Sequence, residues 1–375
     1  MTVNGPSRSL RSRPLSKQQL THGEKRATAN NPQGTLALGR TDAGTMLELT
    51  DPLWNKLDDA QRDRDIPILL AELAASWDGE AAKSLLWDCL CHQQNCHGAT
   101  YAAIPHLLKI AEPEENRRQR REIALFLSFV ALCARDFHHQ VRGRQFEGAA
   151  LQGLPETLEG WDRIRDCFRE HVAWLERPDR PHDYELTLPR HRRVLAMEPV
   201  NADDLGKILS IKAEFFSALP SIRALCERSL LEDVADEEAV LHLLSGSAAA
   251  DGLLSIARLL NYGDAGLLEC ASCGQNYEFI RFGERIAIYA EDPTPSAVRP
   301  ADDKSSSDYQ EGAPSRADGF MVPIAENDVL DGRTATLLSL AKHTPSPEPT
   351  LLLRHFAGSF VCCRCGVQGP IHSRL

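Results

Sequence analysis

The chain has 375 residues, 42% of them hydrophobic, enough for one large domain or two ordinary ones with a real core. Its formal charge of −11 and pI near 5.7 argue against a general attraction to phosphate backbones, which takes clustered Lys and Arg. No run approaches the roughly 18 apolar residues of a membrane span, and the first thirty residues lack the apolar core of a secretory signal, so a cytoplasmic location is expected.

Residues 1–45 are rich in Ser, Arg, Gly and Asn, contain no aromatic residue and show no apolar period, which predicts a disordered tail. They carry seven Lys or Arg against two Asp or Glu, leaving a net charge of −16 on the remainder. An Arg-rich, acid-poor start is also the composition of a transit peptide. Met46 opens the pattern "MLELTDPLWNKL", so it is a second candidate for the start of translation.

From residue 51 to about 262 the pattern is helix after helix. In "DPLWNKLDDA", Asp51 reads as an N-cap and Pro52 as the first helical residue, with apolar side chains at 53, 54 and 57. A phrase then recurs: "DIPILLAEL" from 65, "AIPHLLKIA" at 103–111 and "ALPSIRALC" at 218–226, with a weaker copy, "GLPETLEGW", from 153. Pro67 and Pro105 are 38 residues apart, near the roughly 40-residue period of two-helix HEAT units. Between the phrases lie partner helices, among them "EAAKSLLWDCLCHQ", "QRREIALFLSFVALCARD", "DRIRDCFREHVAWLER" and "DGLLSIARLLNYG". Helix pairs that cannot bury their apolar faces alone stack, and the fold expected is mainly α, an irregular HEAT-like α-solenoid over residues 46–262. A nonrepetitive helical bundle shares the same helix-start chemistry and is the alternative.

The period changes at residue 277. "YEFIRFGERIAIYA" alternates on either side of Gly283-Glu284, which reads as a β-hairpin. The composition of 291–318 predicts a disordered insertion. A helix over "NDVLDGRTATLLSLAKH" follows, and "LLLRHFAGSFVCCRCGVQG" reads as strand, so residues 263–375 are expected to form a small β module of zinc-ribbon type.

Eleven cysteines, an odd number spread through a long chain, favour reduced thiols and a metal site over disulfides. Cys270 and Cys273 in "ECASCGQNY" have the two-residue spacing of a metal knuckle. Cys362 and Cys365 repeat it, and Gly274 and Gly366 follow the two pairs. A tight turn brings two sulfurs to one metal, and Gly after the second Cys tolerates the positive φ of that turn. Four thiolates around one Zn²⁺ make a structural site with no open position for substrate. The 88 residues between the pairs exceed the usual 15 to 20, but closure entropy grows only with the logarithm of loop length. Free thiols are the alternative, and Cys363 fits the spacing poorly.

A second cluster, Cys89, Cys91, His92, Cys96, His97 and His106, admits three readings: a widely spaced haem attachment, a second zinc site, or packed cysteines around an interhelix turn. The last is the expectation, with Leu86, Trp87 and Leu90 on a helix face. The segments "MLELTDPLWNKLDDA", "RDIPILLAELA" and "LWDCLCHQ…ATYAAIPHLLKIA" resemble an uncharacterised group of bacterial HEAT-repeat proteins, over about residues 46–112 and loosely to the first knuckle. Gln94 stands where that group usually has Gly. The resemblance implies a fold and no activity; by analogy it points to immunity or accessory proteins of bacterial toxin systems.

No phosphate loop, no Gly-x-Ser-x-Gly elbow and no His-Glu-x-x-His helix occurs, and no catalytic residue is assigned. The function expected is therefore non-enzymatic protein binding, with a basic partner suited to the acidic body. Nucleic-acid binding is the alternative, carried by "RRQRREIALF" at 117–126, "RPHDYELTLPRHRRV" at 180–194, and Trp161 and Trp174 as stacking platforms. The Arg cluster also reads as the solvated face of an amphipathic helix, and Glu232 to Glu238 as a helix-start acidic cluster.

Overall fold

A computed structural model describes residues 46–57, 65–92, 95–113, 116–135, 151, 153–177, 187–232, 236–263, 265–290, 317–325 and 328–373, all within one compact unit, Ala43–Leu375. The expected tail at 1–45 and most of the expected insertion, 291–316, lie outside the described residues. The described fold is mainly helical, with a small antiparallel sheet toward the C-terminus. No helix among the described residues is long and apolar enough to cross a membrane.

Asp51 does cap a helical turn, its carboxylate accepting the Leu53 N–H at 2.8 Å, but the turn is a short 3-10 piece, Pro52–Asn55. It buries Leu53 and Trp54, and Leu57 just beyond it is buried as well. Helix α1 (Ile66–Ala75) is capped by Asp65 and has Pro67 in its first turn, where a missing N–H costs nothing. Helix α2 (Gly79–Lys83) continues as a wide π turn through Ser84–Leu90 into two paired strands, β1 (Cys91–His92) and β2 (Asn95–Cys96). Leu86 and Leu90 are buried as the pattern predicts, while Trp87 lies edge-on against Phe126 and Phe129.

Helix α3 (Gly98–Ala111) begins before its Pro-containing phrase, and so does α7 (Ala202–Leu231), which leaves Pro105 and Pro220 in helix interiors. An interior Pro costs about 3 kcal/mol, because an N–H is lost and the ring presses on the preceding turn. Burial of nearly every residue of α3 offsets that cost. Of the three full copies of the phrase only the one at Pro67 starts a helix, while the weaker copy from 153 leads into a helix at Leu158.

Helices α4 (Arg117–Arg135), α5 (Leu158–Leu175) and α6 (Thr187–Ala196) follow, then α7, α8 (Glu237–Ala250) and α9 (Leu254–Tyr262). Helix α8 lies at the centre, packed against α4, α7 and α9. Its small residues make that position accessible: a Cβ on Gly246 would come within 2.5 Å of the Ser128 Cα on α4. The α5–α6 pair is a hairpin of its own, with the Arg165 guanidinium donating to the carbonyls of Val194, Leu195 and Met197 at the end of α6.

The expectation of a solvated Arg cluster at the start of α4 is corrected at one position. Arg117 and Arg118 are exposed, but Arg120 is only 1% exposed, pairs with the Glu232 carboxylate and donates to the carbonyls of Ala111 and Pro113. Glu232 accordingly belongs to the end of α7, whereas Glu237 and Glu238 do occupy the first turn of α8 behind the Asp236 cap.

The C-terminal sheet is antiparallel in the order β6-β5-β4-β3-β9: β3 is Ala265–Glu269, β4 Asn276–Phe282, β5 Arg285–Ala290, β6 Gly319–Phe320 and β9 His372–Ser373. The hairpin read at Gly283-Glu284 is present, with Gly283 at φ 58. Helix α10 (Gly332–Lys342), capped by Asp331, falls within the segment expected to be helical but starts later than expected. "LLLRHF" does not: Glu348–Phe356 is a helix, α11, and only from Ser359 does the chain form strand β7 (Ser359–Val361), paired with β8 (Gln368–Pro370). Pro349 suits a first helical turn, and Leu352, Leu353 and Phe356 then fall on one buried helix face, which no strand period would allow. Helices α10 and α11 pack on α8, and α11 also on α9.

Candidate metal centre

Two identical turns form the centre. Pairing of Glu269 with Asn276 leaves 270–275 as the connection between β3 and β4, and pairing of Val361 with Gln368 leaves 362–367 between β7 and β8. In the first, the Gly274 N–H donates to the Cys270 carbonyl at 2.8 Å and the Cys270 N–H to the Gln275 carbonyl at 2.9 Å. In the second, Gly366 donates to Cys362 at 2.8 Å and Cys362 to Val367 at 3.0 Å. Gly274 and Gly366 stand at φ 70 and 71, the left-handed conformation that the sequence reading demanded of them.

The fold brings the two turns face to face. Cys270 Sγ is 3.8 Å from Cys365 Sγ, Cys273 Sγ is 3.6 Å from Cys362 Sγ, and all four sulfurs lie within 4.8 Å of one another. Cys270 and Cys362 are buried, Cys273 is half-buried and Cys365 exposed, so one side of the group reaches the surface. The four predicted cysteines are thus together and could hold a metal ion.

Delivery of the second turn depends on a close backbone approach. Val322 and Ser359 exchange N–H···O bonds of 2.7 and 3.0 Å, and a Cβ on Gly358 would sit 2.0 Å from the Val322 carbonyl oxygen. Only glycine fits there.

Three residues not singled out as site residues by the sequence reading complete the centre. The Tyr277 hydroxyl lies 3.0 Å from Cys362 Sγ and 3.3 Å from Cys363 Sγ, and accepts the Cys363 N–H at 3.1 Å. Arg364 in the second turn donates to the Gln275 side-chain carbonyl in the first at 3.2 Å, tying the turns across the site. The strand alternation of β4 held a signal for Tyr277, since it shares the buried face with Phe279; these rings pack edge-on against Phe360 and Phe356.

Electrostatics follow from these contacts. Burial alone would raise the Cys362 thiol, but the Tyr277 hydroxyl and the N–H groups of Cys365 and Arg364 overcome it and bring the thiol down to about 6. At Cys273 the Gln275 N–H lowers the thiol, but burial and bonds to the other three sulfurs outweigh it and push it up to about 12. The Cys362 sulfur readily carries charge while Cys270 and Cys273 resist it, which is the behaviour of clustered thiols that need a cation to ionise together.

Among the described residues this is the one group of three or more candidate ligands able to hold a metal. In the earlier cluster, Cys91 and Cys96 are buried opposite each other, and His106 bonds to the Leu47 carbonyl at 2.9 Å beside Trp54, a packing role. The side chain of His92 lies outside the described residues. Trp161 is buried with its indole N–H on the Pro155 carbonyl, which removes it as a stacking platform. Comparison with known protein families, curated proteins and solved structures finds no match.

Proposed function

We propose that the four-cysteine centre holds a structural Zn²⁺, and that the protein is a non-enzymatic binding protein whose acidic helical body takes a basic protein partner. The observation that carries the first part is the spacing of the sulfurs. Tetrahedral Zn²⁺ with bonds of about 2.3 Å needs ligand sulfurs about 3.8 Å apart, against the 3.6 and 3.8 Å of the two cross-turn pairs. Four thiolates fill the coordination shell, so the ion has no position for water or substrate and acts by joining two turns that lie 88 residues apart in sequence.

The binding role is supported by the charge of −16 on the chain beyond residue 45, which suits a basic partner. By analogy, an immunity or accessory role toward a basic toxin is the setting that such a charge fits. Affinity purification from the native cell, followed by kinetics with the captured protein, tests this. A basic partner whose association rate falls as salt rises supports the reading. Retention of nucleic acid in place of protein, with steep salt dependence in a gel shift, replaces it with the nucleic-acid alternative.

A further inference from the structure

Three more cysteines converge away from the metal centre. Cys91 and Cys96 are direct partners across the β1–β2 pair, and their Cα separation therefore falls within the range that a disulfide spans, since opposite residues of antiparallel strands lie about 4.5 or 5.5 Å apart. Strand β2, which carries Cys96, packs against α4, which carries Cys133, and the Cys96 thiol feels the thiols of both Cys91 and Cys133. The three are 2%, 1% and 7% exposed, Cys133 being the most accessible.

We propose that Cys91 and Cys96 form a reversible disulfide, and that Cys133 is the exchange thiol through which a small-molecule disulfide, RSSR, oxidises them. The Cys133 thiolate attacks one sulfur of RSSR, a Cys133–SR bond forms, and RS⁻ leaves to take up the proton that Cys133 lost. The Cys96 thiolate then attacks Cys133 Sγ and expels the second RS⁻. Cys91 attacks Cys96 Sγ in turn, and the Cys133 thiolate is released and reprotonated. Overall, two hydrogens pass from Cys91 and Cys96 to RSSR, which becomes two RSH. The neighbouring Cys133 and Cys91 thiols, together with burial, push the Cys96 thiol up.

The bond would tie Cys91, which follows the π turn, to Cys96, two residues before α3 begins at Gly98. That junction is already organised by the Thr100 hydroxyl, which donates to the Leu90 carbonyl and accepts the His97 N–H. Cys226 supplies an internal control: it is equally buried, but its sulfur faces the Ala124 carbonyl at 3.9 Å.

The test treats the folded full-length chain with oxidised glutathione, quenches with acid, alkylates and maps the peptides by mass spectrometry. The expected result is a loss of two hydrogens placed by fragmentation at Cys91 and Cys96, with Cys226 still reduced, and slower formation of the same bond in Cys133→Ser. Recovery of Cys91 and Cys96 as free thiols while the exposed Cys167 is glutathionylated would overturn the disulfide. An unchanged rate in Cys133→Ser would overturn the relay.

Discussion

Replacing Arg120 with Met should cost the protein about 3 kcal/mol of stability. The guanidinium is 1% exposed and meets the Glu232 carboxylate, which is 18% exposed, while its remaining N–H groups reach the carbonyls of Ala111 and Pro113 at 3.4 and 2.8 Å. Removing one partner of a buried pair typically costs about 3–5 kcal/mol, most of it the penalty of an unpaired buried charge. Here the lower end applies: Glu232 keeps Arg228, whose Nε is 3.5 Å away, and Pro113 is exposed enough for its carbonyl to find water. Met fills much of the vacated space, so packing contributes little. Urea unfolding followed by far-UV circular dichroism measures the difference, with the midpoint falling and the slope unchanged. In the double variant Arg120→Met, Glu232→Gln the loss should be smaller than the sum of the two single losses, because the two side chains act as one unit. A single-variant loss under about 0.5 kcal/mol, the range of ordinary surface changes, would refute the reasoning.

Tyr277→Phe should lower zinc affinity by about 10–100-fold in a competition titration with a chromogenic chelator, since the hydroxyl donates to the site while the ring only packs; unchanged affinity would limit Tyr277 to packing. Gly246→Ala adds helix propensity yet should destabilise by about 1–3 kcal/mol in the same urea assay, because the new methyl meets the α4 backbone. Burial would raise the Asp204 carboxyl, but Lys56 at 2.7 Å and the Asn201 N–H hold it below its ordinary value. Its contribution is therefore complete above about pH 4 and is lost as pH falls through the lowered folded value. Asp204→Asn should accordingly be less stable than the parent at neutral pH, with the gap closing below about pH 4; a gap independent of pH would contradict the assignment.

Features set by a few adjacent residues were legible in the sequence. Asp51 and the Gly283-Glu284 turn depend on local backbone chemistry, and so do the knuckle glycines at φ 70 and 71. The four cysteines could be paired from spacing alone because each turn repeats the other. What escaped depends on contacts between distant residues. Arg120 and Glu232 are 112 positions apart, and nothing in "RRQRREIALF" marks the one arginine that turns inward. The Tyr277 hydroxyl acts on a sulfur 85 residues later, and the role of Gly246 appears only once α4 lies across it. Helix α11 was misread because a short apolar run fits both periods until its neighbours decide which face is covered.

The most direct test of the central claim compares two exposed cysteines separated by one residue, Cys363 and Cys365. Full-length protein purified under reducing conditions, alongside Cys363→Ser and Cys365→Ser, is analysed for metal by mass spectrometry after extensive dialysis. The account predicts about one zinc per chain in the parent and in Cys363→Ser, and loss of the metal with a destabilised C-terminal region in Cys365→Ser. A parent protein that is folded and metal-free, with its C-terminal sheet intact by hydrogen exchange, would contradict it.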